Sequence, residues 1–337
     1  MKRSFDVVFY EAFKEEEEIL FSLIPKSIQA RYTYKTVQEE NRKFPDSSLV
    51  SIRTQSEIPN DWFSHLRGIL ARTTGYDHLF ALDPVQFRNV HLGSLDFYCS
   101  RAVAEQAILF MFALLRKLKM QLRKFVTFNR DHLTGSEVNG KTMVVVGVGR
   151  IGSEVVDMAL GLGMNVLGVD IVQRQKDISY ASLKDALKKA DVIVVAVPLT
   201  DKTVKMLDYS TLRFVRPGCV LINISRGEVT PLGDLKRLLN ERILGGLALD
   251  VFEGESVIAH ALRAGGTTAS KKVKWVRELA LRDNVLLTPH NAFNTQEALY
   301  LKCRLSVDSI VEFFKNGKFP LNHGARGRTA YGIRKAI

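Results

Sequence analysis

The middle of the chain alternates apolar runs with amphipathic segments. Six runs that are apolar almost throughout predict strands at 143–147, 165–170, 191–197, 219–224, 245–251 and 284–288. Helices are predicted between them at 150–162, 182–189 and 231–240. Strands that are apolar on both faces and alternate with helices are typical of a parallel sheet covered on both sides. The pattern therefore predicts an α/β fold with a doubly wound parallel sheet.

The pattern of apolar and polar residues is weaker in the first third of the chain. It predicts strands at 6–10, 48–52 and 68–71, and helices at 11–23 and 61–66. The pattern at 101–123 predicts one long helix whose surface is mostly apolar. Such a helix is usually buried in a core or between subunits. A stretch rich in Gly, Thr, Ser and Lys at 264–274 predicts an exposed loop.

Length and composition narrow the class of protein. A chain of 337 residues with 46% hydrophobic and 25% charged residues is typical of two globular domains. No apolar run reaches the roughly 18 residues of a membrane span, and Val7–Tyr10 is too short for a signal-peptide core. We therefore expect no membrane association and a cytoplasmic location.

The cysteines carry no sign of a metal or disulfide framework. Cys99, Cys219 and Cys303 are far apart, and no Cys/His cluster has metal-ligand spacing. We interpret them as small apolar side chains in a reducing compartment and predict no metal site.

The net charge of +12 comes from 48 basic and 36 acidic residues. Basic residues cluster at 116–124, at 271–274 and in the tail from Lys315 onward. These clusters lack the interleaved aromatic residues on which bases stack. The pattern favours a solvated basic surface over a nucleic-acid site, although nucleic-acid binding stays open as an alternative that a salt series would test.

The most specific local motif is Gly147-Val148-Gly149-Arg150-Ile151-Gly152. It ends a predicted strand and opens a predicted helix, which is the context that supports a dinucleotide-binding GxGxxG motif. Gly147 permits the tight turn, Gly149 lets a pyrophosphate approach the backbone, and Gly152 lets helix and strand pack closely. The helix N-terminus would then bind the diphosphate.

An acidic residue follows at the end of the next strand. Asp170 lies 18 residues after Gly152. A carboxylate there accepts hydrogen bonds from the adenosine ribose and repels a 2′-phosphate, which predicts NAD as the cofactor. Arg174, four residues further on, leaves acceptance of NADP open.

Three polar residues follow later strands. Arg226 comes after 219–224, Glu255 after 245–251 and His290 after 284–288. Ligands of open α/β sheets lie outside the carboxyl ends of the strands, so all three could converge on one ligand. Taken singly, each also has a structural interpretation: a surface cation, a loop carboxylate and a structural histidine.

From about Val90 to Phe314 the chain resembles the D-isomer-specific 2-hydroxyacid dehydrogenase family. The resemblance lies in the runs GKTMVVVGVGRIG, VAVPLTDKT, RPGCVLINISRGEV, GGLALDVFEGE and NVLLTPHNAF. Residues 98–105 and the Ala-Phe pair at 292–293 are similar to the D-lactate dehydrogenase branch in particular. The first 90 residues match weakly, mainly through SIRTQS at 51–56 and TTGYDHL at 73–79.

The resemblance implies a role for each matching residue. Arg226 would bind the substrate carboxylate, His290 would donate a proton to the keto oxygen, and Glu255 would hold the imidazole. Substrate would also contact Tyr98 and the backbone near Thr74 and Gly75. Beyond the glycine loop, NAD would contact Arg150, Ile151, Asp170, Val197, Pro198, Thr203, Ile224, Ser225 and Asp250. Asp250 would meet the nicotinamide carboxamide.

The resemblance also implies the architecture. A Rossmann NAD-binding domain at 101–293 would be inserted into a flavodoxin-like substrate domain made of 1–100 and 294–322, with the active site in the cleft and a basic tail at 323–337. The helix region 101–124 is similar to the family's dimer arm, which predicts a homodimer. Two residues depart from the usual pattern: Ser256 replaces a common proline, and Asn291 replaces a common aliphatic residue.

The implied activity is reversible hydride transfer between NADH and a small 2-oxo acid, with pyruvate to D-lactate as the favoured case. An arginine fork suits a carboxylate, and a histidine supplies a proton near neutral pH. An NAD(H)-sensing protein of the corepressor type is the alternative, because some relatives of the family act that way.

Overall fold

The structure of the protein is a computed structural model that describes residues 4–77, 79, 89–265 and 270–323. The described residues form two compact units. Unit 1 contains the residues before Ser100 together with those after Phe293, and unit 2 is Ser100–Phe293. Most of the predicted basic tail, together with residues 266–269, lies outside the described residues.

Twelve strands and eleven α-helices are found in the described residues. The strands are β1 Val7–Phe9, β2 Ala30–Tyr32, β3 Leu49–Ile52, β4 Gly68–Ala71, β5 His91–Gly93, β6 Thr142–Val146, β7 Asn165–Val169, β8 Ser179–Tyr180, β9 Val192–Val195, β10 Cys219–Asn223, β11 Leu244–Leu249 and β12 Val285–Leu287. The helices are α1 Lys14–Leu23, α2 Val37–Glu40, α3 Ser100–Leu115, α4 Leu118–Lys124, α5 Arg150–Gly161, α6 Leu183–Leu187, α7 Tyr209–Leu212, α8 Leu232–Asn240, α9 Glu255–Arg263, α10 Lys271–Ala280 and α11 Gln296–Asn316.

Unit 1 is built on a parallel five-stranded sheet in the order β2-β1-β3-β4-β5. This is the flavodoxin-like order, and its direction of winding changes between β1 and β3. The central strands β1, β3 and β4 are completely buried, as expected for a sheet covered on both faces. One face packs on a core that includes Tyr10, Trp62 and Ile69.

Unit 2 is built on a parallel seven-stranded sheet in the order β12-β11-β10-β9-β6-β7-β8. The winding direction changes between β6 and β9, so ligands are expected outside the carboxyl ends of these two strands. A large apolar core fills the space between the sheet and α6, α8 and α10. The predicted α/β class, with a Rossmann unit and a flavodoxin-like unit, is confirmed.

The prediction of one continuous helix at 101–123 is wrong, because the structure has two helices there. α3 ends at Leu115, and Lys117 adopts a left-handed conformation with φ of 54° before α4 begins. α3 is buried along much of its length, but Leu122 on α4 is 69% exposed. The break turns the apolar side chains beyond it away from the core, which the apolar pattern alone could not show.

Three other boundaries also differ from the prediction. α1 begins at Lys14 because Glu11 has a φ of 55°, which interrupts the helix predicted from residue 11. At 61–66 the structure has a short 3-10 turn, Asn60–Trp62. The predicted loop at 264–274 ends in the first turn of α10, where Lys272 Nζ lies 2.9 Å from Glu253 Oε1.

Two of the three cysteines, Cys219 and Cys303, are buried, and Cys99 is half-buried. In the part of the chain that the structure describes, none of the three forms a disulfide bond. Within the described ranges, no helix combines the length and the apolar character that crossing a bilayer requires.

Candidate active site

The glycine motif forms the turn between β6 and α5. Gly147 has a φ of 95°, and a Cβ there would lie 2.7 Å from the backbone of Ala196, which follows β9. A Cβ at Gly152 would overlap the carbonyl oxygen of Gly147, so the close packing of helix and strand requires glycine. A Cβ at Gly149 would meet nothing within 4 Å. The loop thus has the open backbone and helix N-terminus that a pyrophosphate needs.

Asp170 lies beside this loop. One carboxylate oxygen accepts a 2.7 Å hydrogen bond from the Val148 N–H, and the other accepts a 2.9 Å bond from the Val172 N–H. The carboxylate is therefore fixed at the carboxyl end of β7, next to the glycine turn. That is the place from which an acidic residue reaches the adenosine ribose in this type of fold.

The remaining cofactor candidates follow the next strands along the sheet. Thr203 closes the turn after β9, because its hydroxyl donates to the Pro198 carbonyl at 2.7 Å. Val197 begins this turn, and a Cβ at Gly147 would lie 2.8 Å from its backbone nitrogen. Ile224 and Ser225 follow β10 and are buried. Arg150 and Ile151 occupy the first turn of α5, with Arg150 exposed.

A buried amide fixes the backbone on both sides of Arg226. The Asn223 Nδ2 donates to the Arg226 carbonyl at 2.9 Å, and its Oδ1 accepts from the Ser225 N–H at 2.9 Å. The same Nδ2 also donates to the Thr230 hydroxyl at 2.8 Å. Asn223 is the last residue of β10 and completely buried. The sequence analysis did not identify Asn223 as a site residue. An amide side chain at the end of an otherwise apolar strand could have indicated its supporting role.

The turn after Arg226 packs directly on the turn that carries Glu255. A Cβ at Gly227 would overlap the backbone of Phe252 and Glu253. The Gly254 N–H donates to a Glu228 carboxylate oxygen at 3.3 Å. The structure therefore brings the turns that follow β10 and β11 into contact.

Glu255 and His290 form a direct pair. Glu255 Oε1 lies 2.8 Å from His290 Nδ1, and both side chains are about one-fifth exposed, at 18% and 19%. Glu255 is the first residue of α9, and His290 comes three residues after β12. The fold thus brings two residues that lie 35 positions apart in sequence into contact through Nδ1, and Nε2 is the ring nitrogen that does not face Glu255.

Asp250 holds the turn on which His290 stands. Its carboxylate accepts from the Thr288 hydroxyl at 2.5 Å, from the Asn291 N–H at 2.8 Å and from the Ala292 N–H at 2.9 Å. The Asp250 side chain is buried at the end of β11. The family resemblance implies a cofactor contact for Asp250, whereas its bonds to the histidine turn are a finding of the structure.

The substrate candidates of unit 1 follow β4 and β5. Thr74 donates from its hydroxyl to the Asp96 carbonyl at 3.3 Å, and the Thr73 hydroxyl donates to the Gly75 carbonyl at 2.6 Å. The first bond connects the loop after β4 with the segment that leads to Tyr98, and the second lies within that loop. Tyr98 is buried, and burial, with a smaller contribution from Cys99, raises its pKa well above the usual value. Its phenol therefore stays neutral across the physiological range.

Comparison with known proteins gives a consistent result. Residues 108–292 match the family model described as D-isomer specific 2-hydroxyacid dehydrogenase, NAD binding domain. The D-lactate dehydrogenase of Lactiplantibacillus plantarum is 30% identical over 259 residues, which cover 75% of this chain and 77% of that protein. The glyoxylate reductase of Pyrococcus furiosus is 29% identical over 310 residues, covering 84% of this chain and 87% of that one.

A solved structure shares the fold over nearly the whole chain. The D-lactate dehydrogenase from Aquifex aeolicus, complexed with NAD and lactic acid, superimposes with a TM-score of 0.80. It is 28% identical, and the match covers 94% of this chain and 99% of that one. The glycine loop, Arg226, Glu255 and His290 all lie inside the range that the family model matches.

Proposed function

Because this chain belongs to the D-isomer-specific 2-hydroxyacid dehydrogenase family, we propose that it reduces a small 2-oxo acid reversibly to the D-2-hydroxy acid. The favoured pair is pyruvate and D-lactate. The observation that carries the proposal is the 2.8 Å pair of His290 and Glu255, which belongs to the same unit as the NAD-binding glycine loop. A histidine held by a carboxylate can donate a proton during catalysis, whereas a protein that only senses NAD(H) does not need a proton donor. The NAD(H)-sensing alternative is therefore not favoured.

His290 supplies the proton. NADH supplies the hydride when it is bound, and reduction of the keto carbon leaves negative charge on the carbonyl oxygen. With Nδ1 held by Glu255, the Nε2–H of the imidazolium donates its proton to that oxygen, which becomes the hydroxyl. Glu255 fixes the orientation of the ring, because its carboxylate accepts the hydrogen bond from Nδ1. In the reverse direction neutral His290 accepts the hydroxyl proton.

Arg226 binds the carboxylate next to the reacting carbonyl. Its planar guanidinium offers two parallel N–H donors to a carboxylate. Asn223 binds the N–H of Ser225 and the carbonyl of Arg226, which fixes the backbone from which the guanidinium extends. This positioning matters because a substrate displaced by an ångström loses much of the rate.

Tyr98, Thr74 and Gly75 are proposed to line the substrate pocket. They follow neighbouring parallel strands, β4 and β5, at the edge of the sheet where α/β proteins bind ligands. The bond from the Thr74 hydroxyl to the Asp96 carbonyl links the two segments that follow these strands. Tyr98 contributes a neutral phenol that can donate a hydrogen bond.

NAD is proposed to bind with its diphosphate at the N-terminus of α5 and its ribose at Asp170. The open space at Gly149 and the fixed carboxylate of Asp170 support this placement. The other contacts implied by the family resemblance, from Val197 to Ser225, follow β9 and β10 on the same edge of the sheet.

The choice of acid is tested by a substrate panel. Relatives of similar identity are named for lactate and for glyoxylate, so family membership leaves the side chain of the substrate open. NADH consumption with glyoxylate, pyruvate and longer 2-oxo acids should show turnover, with D-lactate formed from pyruvate. Absence of turnover with every acid, or formation of L-lactate, would contradict the proposal.

The chain is further proposed to form a homodimer through the helix region 101–124 and the segment directly after it. Apolar side chains there face solvent in the single chain: Leu118 is 40% exposed, Leu122 69%, Phe125 71%, Val126 85% and Phe128 75%. Several large apolar side chains exposed within one short segment are typical of an interface. Light scattering should give twice the mass of 37.9 kDa, and the double variant Leu122→Asp/Phe125→Asp should shift it toward the monomer. A monomeric wild type would contradict this.

A further inference from the structure

Glu255 comes directly after a glycine turn. Gly254 precedes the first residue of α9 and has a φ of 73°, in the left-handed region. Because glycine carries no side chain, it cannot cap α9, and its backbone has more conformational freedom than that of any other residue. The direction in which Glu255 leaves this turn is therefore set by the contacts of the neighbouring residues.

Glu253, on the other side of the glycine, binds two other helices of unit 2. Its Oε2 accepts a hydrogen bond of 3.3 Å from the N–H of Leu232, the first residue of α8. Its Oε1 lies 2.9 Å from the Nζ of Lys272, in the first turn of α10. One carboxylate thus connects the turn before Glu255 to both α8 and α10.

The side chain of Lys272 also covers the glycine turn. A Cβ at Gly254 would lie 3.4 Å from both the Cδ and the Nζ of Lys272, which is ordinary van der Waals contact. The side chains of Lys272 and Glu253 are partly shielded from water, at 38% and 25% exposed. Lys272 therefore restrains the turn by packing on Gly254 and by its charge on Glu253.

The helix that carries Lys272 is held at both ends and along its length. At its C-terminal end, Lys119 Nζ donates to the Ala280 carbonyl at 2.7 Å, and an ammonium at this end of a helix is stabilising. The side chains that α10 buries in the core of unit 2 are Val273, Val276 and Leu279. Lys272 thus extends from a fixed backbone, so its ion pair with Glu253 positions the glycine turn.

We infer that Lys272 is a positioning residue for the proposed reduction. The inference rests on the proposed function: through Glu253 and Gly254, Lys272 keeps the carboxylate of Glu255 at 2.8 Å from Nδ1 of His290. A displaced carboxylate would let the imidazole ring turn. Loss of this orientation lowers the rate at which Nε2 donates its proton.

Single-turnover oxidation of NADH by pyruvate in Lys272→Met measures this effect on the chemical step. The rate should fall about three- to tenfold, because the packing of Gly227 and the bond to Glu228 still hold part of the turn. The KM for pyruvate and the affinity for NADH should stay within about twofold of wild type. Lys272→Arg keeps the charge and should restore most of the rate.

A double-mutant cycle shows whether Lys272 acts through Glu255. In the Glu255→Ala background, Lys272→Met should change the single-turnover rate by less than about twofold, since the carboxylate that it positions is already absent. A lysine with a purely structural role would lower the rate by the same factor in both backgrounds. Glu253→Gln combined with Lys272→Met should likewise lose less than the product of the two single effects, because both remove the same ion pair.

Lys236→Met is the matched control. Lys236 on α8 forms an ion pair with Glu278 near the end of α10, and the exposure of this pair is similar to that of the pair between Lys272 and Glu253. The control thus removes a comparable ion pair of α10 away from the glycine turn. It should leave the single-turnover rate within about twofold of wild type. Circular dichroism and NADH fluorescence check that each variant is folded.

The outcomes distinguish this inference from the proposed function. A Lys272→Met variant as fast as wild type, or an equal loss with and without Glu255, contradicts the positioning role and leaves the proposed reduction intact. An equal loss in Lys236→Met also contradicts it, because the effect would then come from the packing of α10. A wild type that oxidises NADH with none of the 2-oxo acids overturns the proposed function, and this inference falls with it.

Discussion

The backbone N–H of His290 donates a 2.9 Å hydrogen bond to the carbonyl of Asp250, whose carboxylate binds the next two N–H groups of the same turn. His290 has a φ of 52°, in the left-handed region, which typically costs about 1–3 kcal/mol for a residue with a side chain. The bonds to Asp250 offset this cost. Asp250 therefore aims the imidazole toward Glu255.

Asp250→Asn should lower kcat about 10- to 100-fold. An amide presents only one acceptor oxygen, so it cannot accept from Thr288, Asn291 and Ala292 in the same geometry, and each bond to a charged group contributes about 1.5–3 kcal/mol. Thr288→Val removes one of the three donors and should have a smaller effect. Steady-state kinetics with pyruvate and NADH measure both. Equal activity of Asp250→Asn and wild type would exclude this positioning role.

Arg226→Lys should lower kcat/KM about 100-fold or more although the charge is kept. An ammonium cannot make two parallel bonds to a carboxylate in one fixed geometry. Both KM and kcat should change, because the contact is present in the ground state and in the transition state. NADH affinity, measured by fluorescence titration, should barely change. A variant within about threefold of wild type would mean that Arg226 does not bind the carboxylate.

Asp170→Ala should weaken the preference for NADH over NADPH. The carboxylate is fixed by Val148 and Val172, so it cannot turn away from a 2′-phosphate and repels it. The ratio of kcat/KM values for the two cofactors is the measurement. If the wild type already uses both cofactors equally, Asp170 does not discriminate, and Arg174 becomes the candidate phosphate ligand.

Arg72 Nε and Lys302 Nζ lie 2.9 and 3.0 Å from the same Glu16 oxygen and form a buried ion cluster with it. Glu16→Gln should destabilise unit 1 at neutral pH by about 3–5 kcal/mol, because Arg72 and Lys302 would stay buried without their carboxylate. The pKa of Glu16 is lowered from 4.5 to about 2. Its stabilising effect is therefore fully present above pH about 4.5 and is lost as the pH falls toward 2.

Urea unfolding followed by circular dichroism at pH 7, 5 and 3 tests this pH dependence. The difference between wild type and Glu16→Gln should shrink between pH 5 and 3. Glu18→Gln is the matched control, because Glu18 is exposed on the same helix α1, and it should change stability by less than about 0.5 kcal/mol. A difference that stays constant with pH would contradict the ion cluster as the cause.

The Rossmann unit could be predicted from sequence because its elements are locally encoded. Buried parallel strands appear in the sequence as uninterrupted apolar runs. The glycine motif identifies the turn between β6 and α5, because side chains at Gly147 and Gly152 would clash with the backbone. The short edge strands β2, β5 and β8 were missed, since two or three residues carry no periodicity. The break at Lys117 was missed because a left-handed lysine leaves no pattern of its own.

The candidate residues Arg226, Glu255 and His290 could be identified from sequence because each is a polar residue that follows a predicted apolar strand. Its supporting residues were harder to find. Asn223 lies inside a predicted strand, where it looks like part of the sheet. The carboxylate of Asp250 accepts mainly from backbone N–H groups, and such bonds leave no pattern in the sequence. The Glu16–Lys302 contact joins residues 286 positions apart (302 − 16), and no local pattern predicts such a pair.

Stopped-flow oxidation of NADH by pyruvate in His290→Ala tests the central claim most directly. The claim is that His290, held by Glu255, donates the proton as hydride reaches the keto carbon. The rate of the chemical step should fall about 100- to 10,000-fold, the usual contribution of a general acid, while NADH affinity stays within about twofold of wild type. A rate close to that of wild type would remove His290 from the reaction and contradict the proposed mechanism.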